Sequence, residues 1–277
     1  MAKLQFTKMH GAGNDFVMID SRHKSIPKLR EKARSICDRR TGIGCDQIIV
    51  IVNSRKADYK MRIFNADGSE VEMCGNGIRC FAKYLWNRND KIIRKKKCLD
   101  VETLSGIVRA KIVSAEKIQV DMGSPILGSS QEFSTLGDGA VATSLKVGNK
   151  SYQITAVSMG NPHCVIFTSD VDSIELEKVG PLIENHKVFP NRTNVEFVQP
   201  VSRSRIKVRV WERGSGITLA CGTGACASAV VAYLQKKTER KITVDLPGGS
   251  LDINWTKEGR VLMTGPAAEV FSGEIKL

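Results

Sequence analysis

Two short segments of this chain place a cysteine directly ahead of closely spaced glycines, Cys74-Gly75-Asn76-Gly77 and Cys221-Gly222-Thr223-Gly224. A thiolate can act as a base or nucleophile, and glycines let backbone approach a ligand closely. If a helix opens at each motif, its first N–H groups bind anions, and a partial charge of about half an elementary unit favours thiolate over thiol. A lone cysteine there reads equally well as a small buried hydrophobe capping a helix. A related pair facing one anion has a more particular use. Inverting a stereocentre requires a base on one face of the carbon and an acid on the other, and two thiols can supply both.

The two motifs belong to a longer repeat. Sliding Lys60 to Ala82 forward by 147 residues onto Lys207 to Ala229 aligns, without a gap, Lys60 with Lys207, Arg62 with Arg209, Phe64 with Trp211, and Cys74 with Cys221. The same shift lays Gly13-Asn14 on Gly160-Asn161 and Gln47 on Asn194. Three segments at one offset argue for a duplicated unit. Cys80 and Cys226 do not align with each other and read as core.

Each copy must position its cysteine with the same elements. Alternation in DYKMRIFN and RIKVRVWE predicts a strand, a glycine-rich turn follows, and a helix opens at C-G-x-G. GACASAVVAYLQKK is apolar on every side until Gln235, and GIRCFAKYLW nearly so. A helix that is apolar all round is buried on all sides. With short β-patterned segments such as VRAKIV, KIQVDM, HCVIF and KITVDL around it, the expected class is α+β. It consists of two pseudo-symmetric lobes from an internal duplication, each a curved, mixed, barrel-like sheet wrapped around one central buried helix. Gly123 and Pro125 suit a linker, which places the lobes at residues 1–122 and 123–265 with the active site in the cleft between them.

Composition narrows the classes. The 277 residues are 42% apolar and contain no run approaching the roughly 20 apolar residues of a membrane span. No apolar stretch follows Lys3, so no secretory signal is read and a cytoplasmic location is expected. Disulfides rarely persist there, and the eight cysteines include no C-x-x-C pair that would suggest zinc. No metal is expected. The net charge of +13 raises the question of a nucleic-acid partner, but its densest run, Lys91 to Lys97, has no aromatic platform beyond Trp86. It reads as a solvated loop or helix end, with no nucleic-acid or membrane partner.

NADGSEVEMCGNGIRC (Asn65 to Cys80) and ACGTGACA (Ala220 to Ala227), together with HGAGNDF, RRTGIGCDQ, GNPH, TNVEF and GPAAEV in order along the chain, resemble the diaminopimelate epimerases. The resemblance implies a cofactor-independent isomerase that converts LL-2,6-diaminopimelate to the meso form for lysine and cell-wall precursor synthesis. It implies two lobes, with segment 266–277 returning to the first, and a homodimer. Cys74 and Cys221 would exchange base and acid roles with reaction direction. The backbone of Gly75-Asn76 and Gly222-Thr223 would hold the reacting α-carboxylate. Asn65, Asn161, Asn194 and Arg213 would take the distal carboxylate, Glu212 the distal ammonium, and Asn14 and Gln47 would complete the polar shell. His163 and Glu212 match positions that tune the thiols.

By residue type alone, Asn14 and Gln47 read as turn residues and His163 as a partly buried, hydrogen-bonded side chain; Asp67-Gly68-Ser69 reads as a turn. The repeat breaks at Asn65-Ala66 against Glu212-Arg213. An acid and a base on one lobe only could read a second amino-acid head group, and specificity is inferred to lie there. Phe271 departs from a tyrosine frequent in relatives at the segment used for dimer contact. The alternatives are another cofactor-independent racemase, of histidine or proline type, and a non-catalytic basic binding protein. Proline racemases carry histidine where Asn76 stands.

Overall fold

The computed structural model describes residues 3–24, 26–127 and 143–276. These form two compact units, one made of the chain up to Asp121 plus the stretch from Thr264, the other of Met122–Met263. The outermost ends of the expected lobes, residues 1, 2 and 277, lie outside the described residues.

The first unit contains β1 (Lys3–Gly11), β2 (Asn14–Asp20), α1 (Leu29–Cys37), β3 (Gln47–Val52), β4 (Tyr59–Asn65), β5 (Glu70–Val71), α2 (Gly75–Asn87), α3 (Lys91–Lys96), β6 (Cys98–Thr103), β7 (Gly106–Ile112) and β8 (Lys117–Asp121). The second contains β9 (Ile126–Leu127), β10 (Thr143–Val147), β11 (Lys150–Ser158), β12 (Pro162–Phe167), α4 (Leu176–Glu184), β13 (Asn194–Ser202), β14 (Arg205–Glu212), β15 (Gly216–Ile217), α5 (Gly222–Leu234), β16 (Lys241–Leu246) and β17 (Gly249–Trp255). The division between units falls within β18 (Val261–Pro266), and β19 (Ala268–Lys276) belongs to the first unit.

The sheets have the same order and sense. In the first unit it runs β19-β1-β2-β3-β4-β6-β7, with β2–β3 and β4–β6 parallel and the other pairs antiparallel. In the second it runs β10-β11-β12-β13-β14-β16-β17, again parallel at the third and fifth junctions. The edge differs. β19 follows β1 from Lys3 to His10, whereas β10 covers the start of β11 and β9 covers Val157 and Ser158 at its end.

Each sheet curves around one helix. α2 meets β1, β2, β3, β7, β8 and β19, and α5 meets β11, β12, β13, β14, β16 and β17. This explains the unbroken apolar composition of α5, where Ala225, Cys226, Ala227, Val230, Val231 and Ala232 are all buried. Each fully buried Val contributes roughly 1.5–3 kcal/mol relative to exposure.

Besides its central helix, each unit carries a second, outer one, α1 and α4, which stand at the same 147-residue offset. α1 buries Leu29, Ala33 and Ile36 against Ile48, Val50 and Phe64, on the face of β3 opposite to Ile49, which points toward α2. β3 is therefore covered on both faces, which is why QIIVIV is a continuous apolar run and not an alternating one. Lys91 to Lys97 also gains definition: residues 91–96 form the short helix α3, whose first N–H groups are capped by Asp90.

Candidate active site

Cys74 and Cys221 are both helix N-caps. Each has extended backbone (φ −141° and −112°), and each sulfur accepts the N–H of the third residue on, Gly77 or Gly224, at 3.4 Å. Gly75-Asn76 and Gly222-Thr223 then supply the first N–H groups of α2 and α5.

In the first unit the side chains around Cys74 are amides. Asn14, at the start of β2, places its Oδ1 3.7 Å from the Cys74 sulfur and accepts from Asn76 Nδ2 at 3.3 Å. Asp46 holds Asn14 from the other side, accepting from its Nδ2 at 2.8 Å. Sequence reasoning missed Asp46, although it sits inside the RRTGIGCDQ motif. Asp46 is fixed in turn by Arg39, which also pairs with Asp15. Gln47 donates to Asn65 Oδ1 at 2.9 Å, and Asn65 is set by the turn through Ser69, whose N–H and hydroxyl Asp67 accepts.

The second unit keeps part of this pattern. Asn161 Nδ2 reaches Thr223 Oγ1 at 3.4 Å, the counterpart of the Asn14 to Asn76 contact, and Thr223 Oγ1 lies 3.5 Å from the Cys221 sulfur. Asn194 is buried and works locally, donating to Pro162 O and accepting from Arg213 N at 2.9 Å, so that it sets the backbone of Arg213. The Arg213 guanidinium meets Asn191 O at 3.2 Å. Glu212 accepts the Thr218 hydroxyl, and its carboxylate acts on the Cys221 thiol electrostatically.

His163 and a residue the sequence reading passed over, Glu196, complete this half. Both are fully buried, with His163 Nδ1 2.7 Å from Glu196 Oε1 and Nε2 3.0 Å from Asn161 Oδ1. A signal for Glu196 existed: at the 147-residue offset it replaces Ile49 in an otherwise apolar strand.

The electrostatics revise one expectation. A helix N-terminus favours thiolate, yet the Cys221 thiol is pushed well above its ordinary value of 9.0 by burial, then by the carboxylates Glu212 and Glu196, against help from Thr223 and the Gly224 N–H. Burial also raises the carboxyls of Glu212 and Glu196. Cys221 is thus a thiol near neutral pH. Of the other cysteines, Cys80, Cys164 and Cys226 are fully buried, Cys37 and Cys45 hydrogen bond to each other in the core, and Cys98 is half-buried on β6.

The family model described as diaminopimelate epimerase matches residues 6–128 and 155–270. The chain belongs to the diaminopimelate epimerase family. It is 50% identical to the diaminopimelate epimerase of Desulfitobacterium hafniense, over 98% of this chain and 97% of that protein. It is also 50% identical to diaminopimelate epimerase 1 of a Nostoc species (98% and 99% covered), and 47% identical to the diaminopimelate epimerase of Synechococcus elongatus (99% of each). Members of this family are isomerases. Among solved structures, a PhzF-family phenazine biosynthesis protein from Bacillus anthracis superposes with a TM-score of 0.70 at 18% identity, covering 100% of both chains. A probable proline racemase from Agrobacterium radiobacter gives 0.73 at 15%, covering 99% of this chain and 93% of that one. At such identities the likeness concerns the fold. No helix among the described residues is long and apolar enough to cross a membrane.

Proposed function

We propose that this protein epimerises LL-2,6-diaminopimelate to meso-diaminopimelate without a cofactor, using Cys74 and Cys221 as base and acid, and so serves lysine and cell-wall precursor synthesis. The observation that carries this reading is the paired N-cap placement of the two sulfurs, each beside helix N–H groups suited to a carboxylate.

One thiolate removes the α-proton, leaving its electron pair on the α-carbon, delocalised into the carboxylate. The N–H groups of Gly75-Asn76 and Gly222-Thr223 stabilise that developing charge. The opposite thiol then returns a proton to the other face, and the net change is inversion at one carbon. In the direction in which Cys74 is the base, Cys221 is the acid, a role suited to a thiol that burial and two carboxylates keep protonated. Epimerisation in the reverse direction exchanges the roles.

Specificity rests on Glu212 and Arg213, which the first unit replaces with Asn65 and Ala66. Arg213 takes the distal carboxylate, assisted by Asn65, Asn161 and Asn194, and Glu212 takes the distal ammonium; Asn14 and Gln47 complete the polar shell. A substrate without the distal group leaves these charges without a partner away from water, which is costly. For the homodimer implied by the resemblance, exposed Val270 and Phe271 on β19 supply an apolar surface.

In D2O, with no added cofactor or metal, LL-diaminopimelate should acquire deuterium at the α-carbon as it epimerises. Product that retains its original α-hydrogen would end the two-thiol reading.

A further inference from the structure

Four hydrogen-bonding contacts run in series through the second unit from a buried carboxylate to the Cys221 sulfur. Glu196 Oε1 lies 2.7 Å from His163 Nδ1, His163 Nε2 is 3.0 Å from Asn161 Oδ1, Asn161 Nδ2 is 3.4 Å from Thr223 Oγ1, and Thr223 Oγ1 is 3.5 Å from Cys221 Sγ. Glu196 and His163 have 0% side-chain exposure. Both ring nitrogens of His163 face oxygen atoms, so its orientation is fixed at each end.

The first unit is an internal control. At the same offset Glu196 becomes Ile49 and His163 becomes Phe16, while the amide contact next to the cysteine survives as Asn14 to Asn76 at 3.3 Å. The two acidic and apolar side chains also occupy the same space: a methyl group added at Gly77 would lie 2.8 Å from Ile49 Cδ1, and one added at Gly224 would lie 2.7 Å from Glu196 Oε1. A buried carboxylate that replaces an isoleucine costs stability unless it is paired. Here His163 satisfies one oxygen, while the other, Oε2, has no hydrogen-bond partner among the described residues.

We propose that Glu196 is a positioning residue for Cys221, facing the thiol beneath the first turn of α5 and fixing, through His163, Asn161 and Thr223, a hydrogen-bonded row against it that the first unit does not repeat. The catalytic use of that row rests on the two-thiol reading; the row itself does not. The ionisable groups around Glu196 are His163 and Cys164 on β12, Glu212 on β14 and Cys221 at the cap of α5.

The test is made without substrate, so its failure is separate from failure of the epimerase reading. Rates of alkylation of Cys221 and Cys74 by iodoacetamide are followed against pH, peptide by peptide, in the wild type and in Glu196→Gln. Removing one of the two carboxylates that face the thiol should move the Cys221 profile to lower pH by about one unit, a roughly tenfold higher rate on its rising limb, and leave that of Cys74 in place. A second variant, His163→Phe with Glu196→Ile, copies the apolar pair of the first unit and guards against a folding defect in the first; it should shift Cys221 in the same direction. An unmoved Cys221 profile, a shift upward, or an equal shift of both cysteines in correctly folded protein would overturn the proposal.

Discussion

Under the first turn of α2 the core presents Ile49, and under the first turn of α5 it presents Glu196 hydrogen bonded to His163. The strands, the helix caps and the sulfur to N–H contacts correspond closely, yet one sulfur sits over an apolar floor and the other over a buried acid and base. The two copies share one scaffold and differ at a few buried positions beneath the sulfurs, Ile49 against Glu196 and Phe16 against His163. The same holds at the end of the strand before each cysteine, where Asn65-Ala66 in one copy corresponds to Glu212-Arg213 in the other.

The largest expected effect tests whether both halves are needed. Cys74→Ala and Cys221→Ala should each lower diaminopimelate turnover by about 10² to 10⁴ or more, as loss of a proton-transfer group does; substantial activity in either variant would assign the chemistry to one half alone. Next in size is the Glu212-Arg213 pair. Arg213→Ala should reduce kcat/KM by roughly two orders of magnitude, since a bidentate carboxylate partner is lost, and Asn65→Ala by clearly less. Equal losses would remove the argument that specificity resides on one copy.

The packing beneath the caps gives a smaller contrast. Gly77→Ala pushes against Ile49 Cδ1, the far end of a flexible side chain, whereas Gly224→Ala pushes against a Glu196 oxygen already held by His163. Overpacking costs about 1–3 kcal/mol, and Gly224→Ala should fall at the upper end and Gly77→Ala at the lower, read as the difference in urea midpoints.

The smallest effect is a contrast of sign with pH. Burial raises the Asp15 carboxyl, but Arg39 and Lys8 more than offset this and hold it well below its ordinary 3.8. A lowered folded value means that its contribution is present above pH 3.8 and is lost as the pH falls toward the folded value. The stability gap between wild type and Asp15→Asn, about 1 kcal/mol near neutrality after allowance for the exposure of Arg39, should therefore close on acidification. Glu196 is raised from 4.5 by burial, with His163 opposing. Its stabilising contribution is present below pH 4.5 and is lost as the pH rises through the folded value, so Glu196→Gln should compare better with wild type as the pH increases. Parallel trends in the two variants would break the contrast.

Much of this was legible because the repeat is written in glycines and cysteines, residue types that backbone geometry and chemistry hold in place. The strands DYKMRIFN and RIKVRVWE and the helices after the two cysteines follow from period and composition. α1 and α4 did not announce themselves: LREKARSIC is nine largely polar residues, LEKVGPLIE contains an internal proline, and the two share little beyond Leu29/Leu176 and Ile36/Ile183. Their burial at every third or fourth position depends on a sheet face that only the folded chain supplies. Glu196 was hidden by its neighbours, since VEFV reads as one apolar strand, and only a residue-by-residue comparison with IIVI exposes the substitution.

The swap of sheet edges bears on how the chain is made. β19 closes the edge of the first unit along β1, so that unit draws on residues from both sides of the second, which is continuous from Met122 to Met263. As the polypeptide emerges from the ribosome, β1 is exposed first and must wait, unpaired on that side, until some 260 further residues have followed it. At about 5–20 residues per second this is a wait of roughly 13 to 50 seconds, during which the nascent chain carries an open strand edge that a chaperone could shield.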